Sequence, residues 1–335
     1  MPATSASPLF ISSKVAARVF QWREAVAALQ DAYRNMAPDA ALPSRSIAVD
    51  RDGWLRTLPA MPNGCEHFGA KLMGITLTAA HPAVEYVIVL FSRETSRIAA
   101  FIDGAQITAY RTAATSAAAV DKMAPSDPAR LAVLGSGLEA AMHTRAIAAV
   151  RPLRQITIFS PTAAHCEQFA RTIAEELGVP TRAVQSPREA TENADIVLAA
   201  ARSHGERPIL YGDWILPGAI AISIGSTVPH QREIDVSVIG RASLIVCDRP
   251  KEVMTETGDM IAAIQAGLDV AARCRSLSEL MAGKVAIAQG TTDIALFKSV
   301  GSGLQDIVVA DLILSKAKRA GLAVPLPIEF ESKWV

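Results

Sequence analysis

Apolar residues at Val15, Val19, Phe20, Ala25, Leu29 and Tyr33 recur close to every 3.6 positions, so the spacing predicts one amphipathic helix over Ser13–Met36. Beyond it the period shortens to about two. Candidate strands are Ser46–Val49, Trp54–Leu58, Ala70–Thr76, Tyr86–Phe91, Ile98–Ile102 and Gln106–Tyr110, parted by turn signals such as Arg51-Asp52-Gly53 and Asp103-Gly104. Short turns between successive strands imply an antiparallel or mixed sheet. A helix is expected over Thr112–Met123, and the turn-rich run Ala124-Pro125-Ser126-Asp127-Pro128 then reads as a domain boundary.

Downstream the pattern alternates. Leu131–Leu134, Ile156–Phe159, Ile196–Leu198, Ile220–Ile224 and Leu244–Cys247 are short apolar runs, and Gly137–Val150 and Thr162–Gly178 read as helices after the first two. Such alternation predicts right-handed crossovers and a parallel, doubly wound sheet. A last helix over Leu304–Ala320 leads to a Pro-containing tail, Val324–Val335, that can return to the first domain. The expected class is α/β, with an α+β domain before the break at 124–128 and a doubly wound parallel domain after it.

Composition narrows the function classes. With 335 residues, half of them apolar and a fifth charged, the chain suits two well-buried globular domains rather than a disordered one. Lys and Arg (33) balance Asp and Glu (33), so no basic surplus exists to displace counterions from nucleic acid. Cys65, Cys166, Cys247 and Cys274 show no metal-ligand or paired spacing. The N-terminal run lacks a signal-peptide pattern and no stretch approaches a membrane span, so a cytoplasmic protein with no membrane partner is expected.

The sharpest local signal is Gly135-Ser136-Gly137-Leu138-Glu139-Ala140, a G-x-G-x-x-A between an apolar strand and a helix. The first glycine permits the tight turn, the second lets backbone approach a pyrophosphate, and the alanine lets helix pack on strand. This context predicts dinucleotide binding. At the end of the second strand, where an NAD site usually carries an acid, stand Ser160, Pro161 and Thr162. Without a carboxylate there, a 2′-phosphate is tolerable, which favours NADP(H) and leaves NAD(H) admissible; Ser160 and Thr162 equally suit capping of the following helix.

Arg111-Thr112-Ala113-Ala114, the glycine loop, Ala194–Val197, Leu216–Gly218, Ile224–Ser226, Arg232–Asp235, Phe297–Gly301 and Gln305–Ile307 follow one another in an order that resembles the ornithine cyclodeaminase/mu-crystallin family. The resemblance spans roughly Arg45 to Ala320. It implies an NAD(P)-dependent homodimer acting on a small imino or amino acid, built as a Rossmann dinucleotide-binding domain, 128–311, inserted into an α+β substrate and dimerisation domain, 1–127 with 312–335, and with Arg45, Lys71 and Arg111 clamping the α-carboxylate. A guanidinium fork holds a carboxylate bidentately, and a lysine of depressed pKa can give up a proton. Thr112, Ser226, Ser299, Val300 and Gly301 are then expected at the cofactor, beside the glycine loop with Ser160 and Thr162, and Asp306 is expected to orient Lys71 or the substrate amine.

One position departs from the family pattern. Cyclodeaminases of this family look to carry an aspartate where Thr227 stands, two residues before Pro229. A hydroxyl of ordinary pKa is no general base near neutrality. Reduction of a cyclic ketimine carboxylate is therefore expected, with Lys71, Arg111, Thr227 and Asp306 as the catalytic set; ornithine or lysine cyclodeamination, an opine-type or amino-acid dehydrogenase, and cofactor binding without turnover are the alternatives. His67, His81, His143, His165, His204 and His230 show no ligand spacing, so no metal is expected, and Glu233 and Asp235 read as structural.

Overall fold

The computed structural model describes residues 7–81, 83–127, 129–201, 205–285, 293–331 and 333; Pro128 and His204 lie outside them. The chain forms two compact units, Met1–Arg111 with Ser302–Val335, and Thr112–Gly301. The division falls inside the helix Gly104–Met123 and again after the loop 299–301, not at 127/128 and 311/312. The first division lies within that continuous helix, and the second lies just ahead of helix Gly303–Arg319, which belongs wholly to the first unit. Gln106–Tyr110 is helix rather than strand, since Ile107, Tyr110 and Ala114 keep a helical period that continues the buried run Ala113–Val120.

The first unit holds strands β1 (Leu9–Ile11), β2 (Ser46–Val49), β3 (Gly53–Ala60), β4 (His67–Thr76), β5 (Glu85–Ser92) and β6 (Ile98–Asp103). From β2 to β6 each strand pairs antiparallel with the next, as short turns dictate. At the β2–β3 turn Asp50 accepts from the backbone N–H groups of Asp52 and Gly53, at 2.8 and 2.9 Å. The expected first helix is broken into Ser13–Val19 and Trp22–Arg34. Phe20 causes the interruption: its ring stacks on Tyr110 at 3.8 Å, Trp22 meets both edge-on, and Phe20 and Gln21 take extended backbone to allow it.

The second unit holds β7 (Ala129–Leu134), β8 (Leu153–Phe159), β9 (Thr181–Ala183), β10 (Ile196–Ala199), β11 (Ile220–Ser223), β12 (Ala242–Cys247), β13 (Cys274–Ser276) and β14 (Ile294–Lys298). Every pairing is parallel, in the order β13-β12-β14-β11-β10-β7-β8-β9. The strand order reverses between β7 and β10, the switch point at which such sheets bind nucleotides outside the carboxyl ends of their strands. Its central strands β7, β10 and β11 are buried on both faces, which explains their unbroken apolar runs.

The chain then returns to the first unit. Helix Gly303–Arg319 packs on β3, β4 and β5 and on helix Trp22–Arg34, and β15 (Val324–Pro325) pairs antiparallel with β1. The helix start touches the sheet directly. A Cβ added at Gly303 would lie 2.6 Å from the Pro59 carbonyl and 2.8 Å from that of Leu58, so only glycine admits this approach. Gly303→Ala is expected to lower unfolding free energy by about 1–3 kcal/mol, read by urea denaturation, because backbone rather than a yielding side chain meets the new methyl.

Candidate functional site

In the first unit three charged side chains from three elements converge. Lys71 from the middle of β4 donates to Asp306 Oδ1 at 2.9 Å, and Arg111 Nε stands 3.0 Å from the same oxygen. All three are buried. The second carboxylate oxygen, Asp306 Oδ2, is buried and has no hydrogen-bond partner among the described residues. Asp306 sits in the first turn of helix Gly303–Arg319, where the backbone N–H groups favour a negative charge.

Burial, the dominant effect, pushes Lys71 down to about 8 even though Asp306 pulls the other way; the fields of Arg111 and Arg56 add to the depression. A lysine so placed exchanges a proton near neutral pH, unlike an exposed one. Thr108 Oγ1 also accepts from Lys71, at 3.4 Å, from the first turns of helix Gly104–Met123. Arg45 lies half-buried just before β2. His67, at the start of β4, is tied to Asp311 at 2.6 Å, and burial, with the nearby Asp311 carboxylate, raises the half-buried Cys65 thiol to about 12.

In the second unit the glycine loop has the shape its sequence demands. Gly135 has φ 128°, and a Cβ there would lie 2.6 Å from the Ala200 carbonyl. A Cβ at Gly137 would meet nothing within 4 Å, so the space ahead of helix Leu138–Val150 is open to a pyrophosphate at a helix N-terminus. Ala140 is fully buried, Leu138 and Glu139 lie on the exposed side of the first turn, and Ser136 donates to Ser160 at 2.9 Å. Thr162 occupies the N-cap of helix Ala163–Leu177 without a side-chain capping bond. These features fit a dinucleotide.

The other expected cofactor residues are engaged with protein. Ser226 donates to the Gln231 carbonyl at 2.6 Å, and Thr227 meets Gln231 Oε1 through both its N–H and its hydroxyl. Asp248 gathers the Ser299 hydroxyl and the N–H groups of Val300 and Gly301 at 2.7 to 3.1 Å, fixing the loop after β14. Thr112, half-buried, accepts from Ser116 through its carbonyl.

A second buried network was read from sequence only as structural. Glu233 accepts from Ser223 Oγ at 2.6 Å and from the N–H groups of Ala201, Ile224 and Gly225, thereby joining the loops after β10 and β11. Desolvation lifts it to about 7, against the pull of Lys298. Lys298 in turn bonds Ser223 and Asp259 at 2.8 and 3.0 Å. One signal could have exposed this: Lys298 ends an otherwise apolar strand, where a lysine needs a partner. Gln305 and Tyr33, which meet beside Arg111, carried no comparable signal, since a polar helix residue is usually solvated.

Among the described residues no group of His, Cys, Asp or Glu side chains could hold a metal ion, and no helix is long and apolar enough to cross a membrane. A model of the ornithine cyclodeaminase/mu-crystallin family matches residues 10–321. Ketimine reductase mu-crystallin of Mus musculus is 30% identical over 296 residues, 85% of this chain and 89% of that protein. A probable ornithine cyclodeaminase from Bordetella pertussis Tohama I has a TM-score of 0.85 at 30% identity, covering 95% of this chain and 100% of that one. Delta(1)-pyrroline-2-carboxylate reductase of Thermococcus litoralis, solved with NADH and L-proline, gives 0.86 at 26% identity with the same coverage. A match across nearly the whole length, on top of the glycine loop and the buried Lys71–Asp306–Arg111 cluster, places this chain in the ornithine cyclodeaminase/mu-crystallin family.

Proposed function

We propose that this protein reduces a cyclic ketimine carboxylate, of the 1-pyrroline-2-carboxylate or 1-piperideine-2-carboxylate type, to the L-imino acid. The observation that carries this reading is the buried cluster in which one aspartate faces both Lys71 and Arg111. Two cations against one acid leave a cationic excess that calls for an anion, and a carboxylate suits the fork of Arg111. The names of two relatives, ketimine reductase and Delta(1)-pyrroline-2-carboxylate reductase, agree with this.

The glycine loop would hold NADP(H) in preference to NAD(H), because no acid stands at Ser160 or Thr162 to repel a 2′-phosphate. When bound, the nicotinamide supplies the hydride. Arg111, with Arg45, holds the carboxylate and sets the C=N carbon in place. Lys71 gives its proton to the imine nitrogen, which makes the carbon more electrophilic, and Asp306 Oδ2 accepts the resulting N–H. Thr227 offers a hydroxyl where ring closure of ornithine would need an acid, which speaks against cyclodeamination.

We also propose a homodimer formed through the edge of the first unit's sheet. All four residues of β2 are exposed, Val49 to 70%, and an uncovered apolar edge strand invites pairing with a second copy.

Purified protein is expected to oxidise NADPH, and more slowly NADH, with either ketimine. Failure with both while cofactor binds normally overturns the reading, and release of proline and ammonia from ornithine would replace it with cyclodeamination. Arg111→Ala should cut kcat/KM on the order of 10²-fold while sparing cofactor affinity, since a charge-assisted carboxylate contact is lost. With Lys71 near 8, kcat/KM for reduction should fall as pH rises through about 8, where the proton to be donated is gone; Lys71→Arg should remove that limb from the pH profile along with most activity. Val49→Asp should shift the protein toward monomer in sedimentation.

A further inference from the structure

The guanidinium of Arg111 is held from a second side, by a neutral chain. Arg111 Nη1 donates to Gln305 Oε1 at 2.8 Å, and Gln305 Nε2 donates to Tyr33 Oη at 2.8 Å. Gln305 and Tyr33 are fully buried, and Arg111 is nearly so. They come from three elements: helix Trp22–Arg34, helix Gly104–Met123 and the first turn of helix Gly303–Arg319.

Chemistry fixes the polarity of this chain. A guanidinium only donates, so the amide must turn its oxygen to Arg111; its NH2 then faces Tyr33, whose phenol oxygen must accept. Reversing the amide would set NH2 against guanidinium in a buried site, a costly arrangement. Arg111 thus selects the orientation of Gln305, and the phenol oxygen of Tyr33, by accepting from the NH2, holds the amide in place and with it the angle of the Arg111 fork. Neutrality matters too. An acid at 305 would satisfy Arg111 with a charge of its own, and the attraction left for a bound carboxylate would shrink.

We propose that Tyr33 and Gln305 are positioning residues that pre-set Arg111 for a substrate carboxylate without neutralising it. This inference rests on the reading of Arg111 as the carboxylate clamp. It locates part of the substrate selectivity in Tyr33, a residue read from the sequence only as core.

The test compares wild type with Tyr33→Phe, Gln305→Glu and Arg111→Ala, using a ketimine carboxylate, the same ring without its carboxylate (1-pyrroline), and direct calorimetric binding of L-proline. Tyr33→Phe removes one oxygen and keeps the ring, so folding is expected to survive; thermal melts verify this. Loss of one buried hydrogen bond predicts a KM for the ketimine carboxylate raised about tenfold with kcat within about twofold. Binding of L-proline should weaken in parallel, with 1-pyrroline turnover unchanged. Gln305→Glu should weaken carboxylate binding further while leaving melting temperature near wild type. If Arg111→Ala loses carboxylate binding and Tyr33→Phe matches wild type, or if Tyr33→Phe harms both substrates equally, the positioning role falls and the clamp stands. If Arg111→Ala binds carboxylate as wild type does, the clamp itself falls and this inference with it.

Discussion

Everything in the first unit is arranged around one carboxylate taken out of water. Asp306 has no solvent to stabilise its charge, so its place depends on Lys71 and Arg111, and theirs on it. Buried ion pairs seldom add net stability, because desolvation consumes the attraction between the charges. Such a group is kept for what it does. The sheet supplies Lys71 from a central strand, one helix supplies Arg111, another supplies Asp306 from its first turn, and the glycine at 303 lets that turn lie against backbone. A cluster held on rigid elements keeps its geometry better than one on loops.

The second unit repeats the principle with different groups. Glu233 ties the loops that follow β10 and β11, while Lys298 and Asp259 brace it from the neighbouring strand end and helix. Buried charge thus anchors Ala201 and the start of the loop after β11, and the glycine loop remains open at Gly137, where a ligand would approach. Rigid surroundings and one open place are what a preformed nucleotide site requires.

Much of this was legible in the residues. The parallel sheet announced itself through apolar runs alternating with helical periods, and Gly135 and Gly137 through their place between strand and helix. Lys71, Arg111 and Asp306 could be named individually. Their convergence could not be seen from spacing, since 195 positions separate Arg111 from Asp306 and only tertiary packing brings them together. Errors arose where local pattern was ambiguous: Gln106–Tyr110 alternates like a strand yet continues a helix, and Phe20 sits in helical register yet is drawn out by an aromatic stack. Tyr33 fitted the apolar stripe of its helix so well that its hydroxyl passed unnoticed.

The return of the chain to its starting sheet has a consequence for biosynthesis. The unit Thr112–Gly301 is one contiguous stretch and can fold as soon as it leaves the ribosome, whereas the other unit must wait for Ser302–Val335 to bring its central helix and last strand. Until those residues emerge, Lys71 on its strand and Arg111 on its helix lack Asp306, their shared counter-charge. The order of synthesis therefore places the doubly wound fold first and the completed charge cluster last, so that a chain cut before Ser302 would hold the glycine loop but lack the acid that Lys71 and Arg111 share.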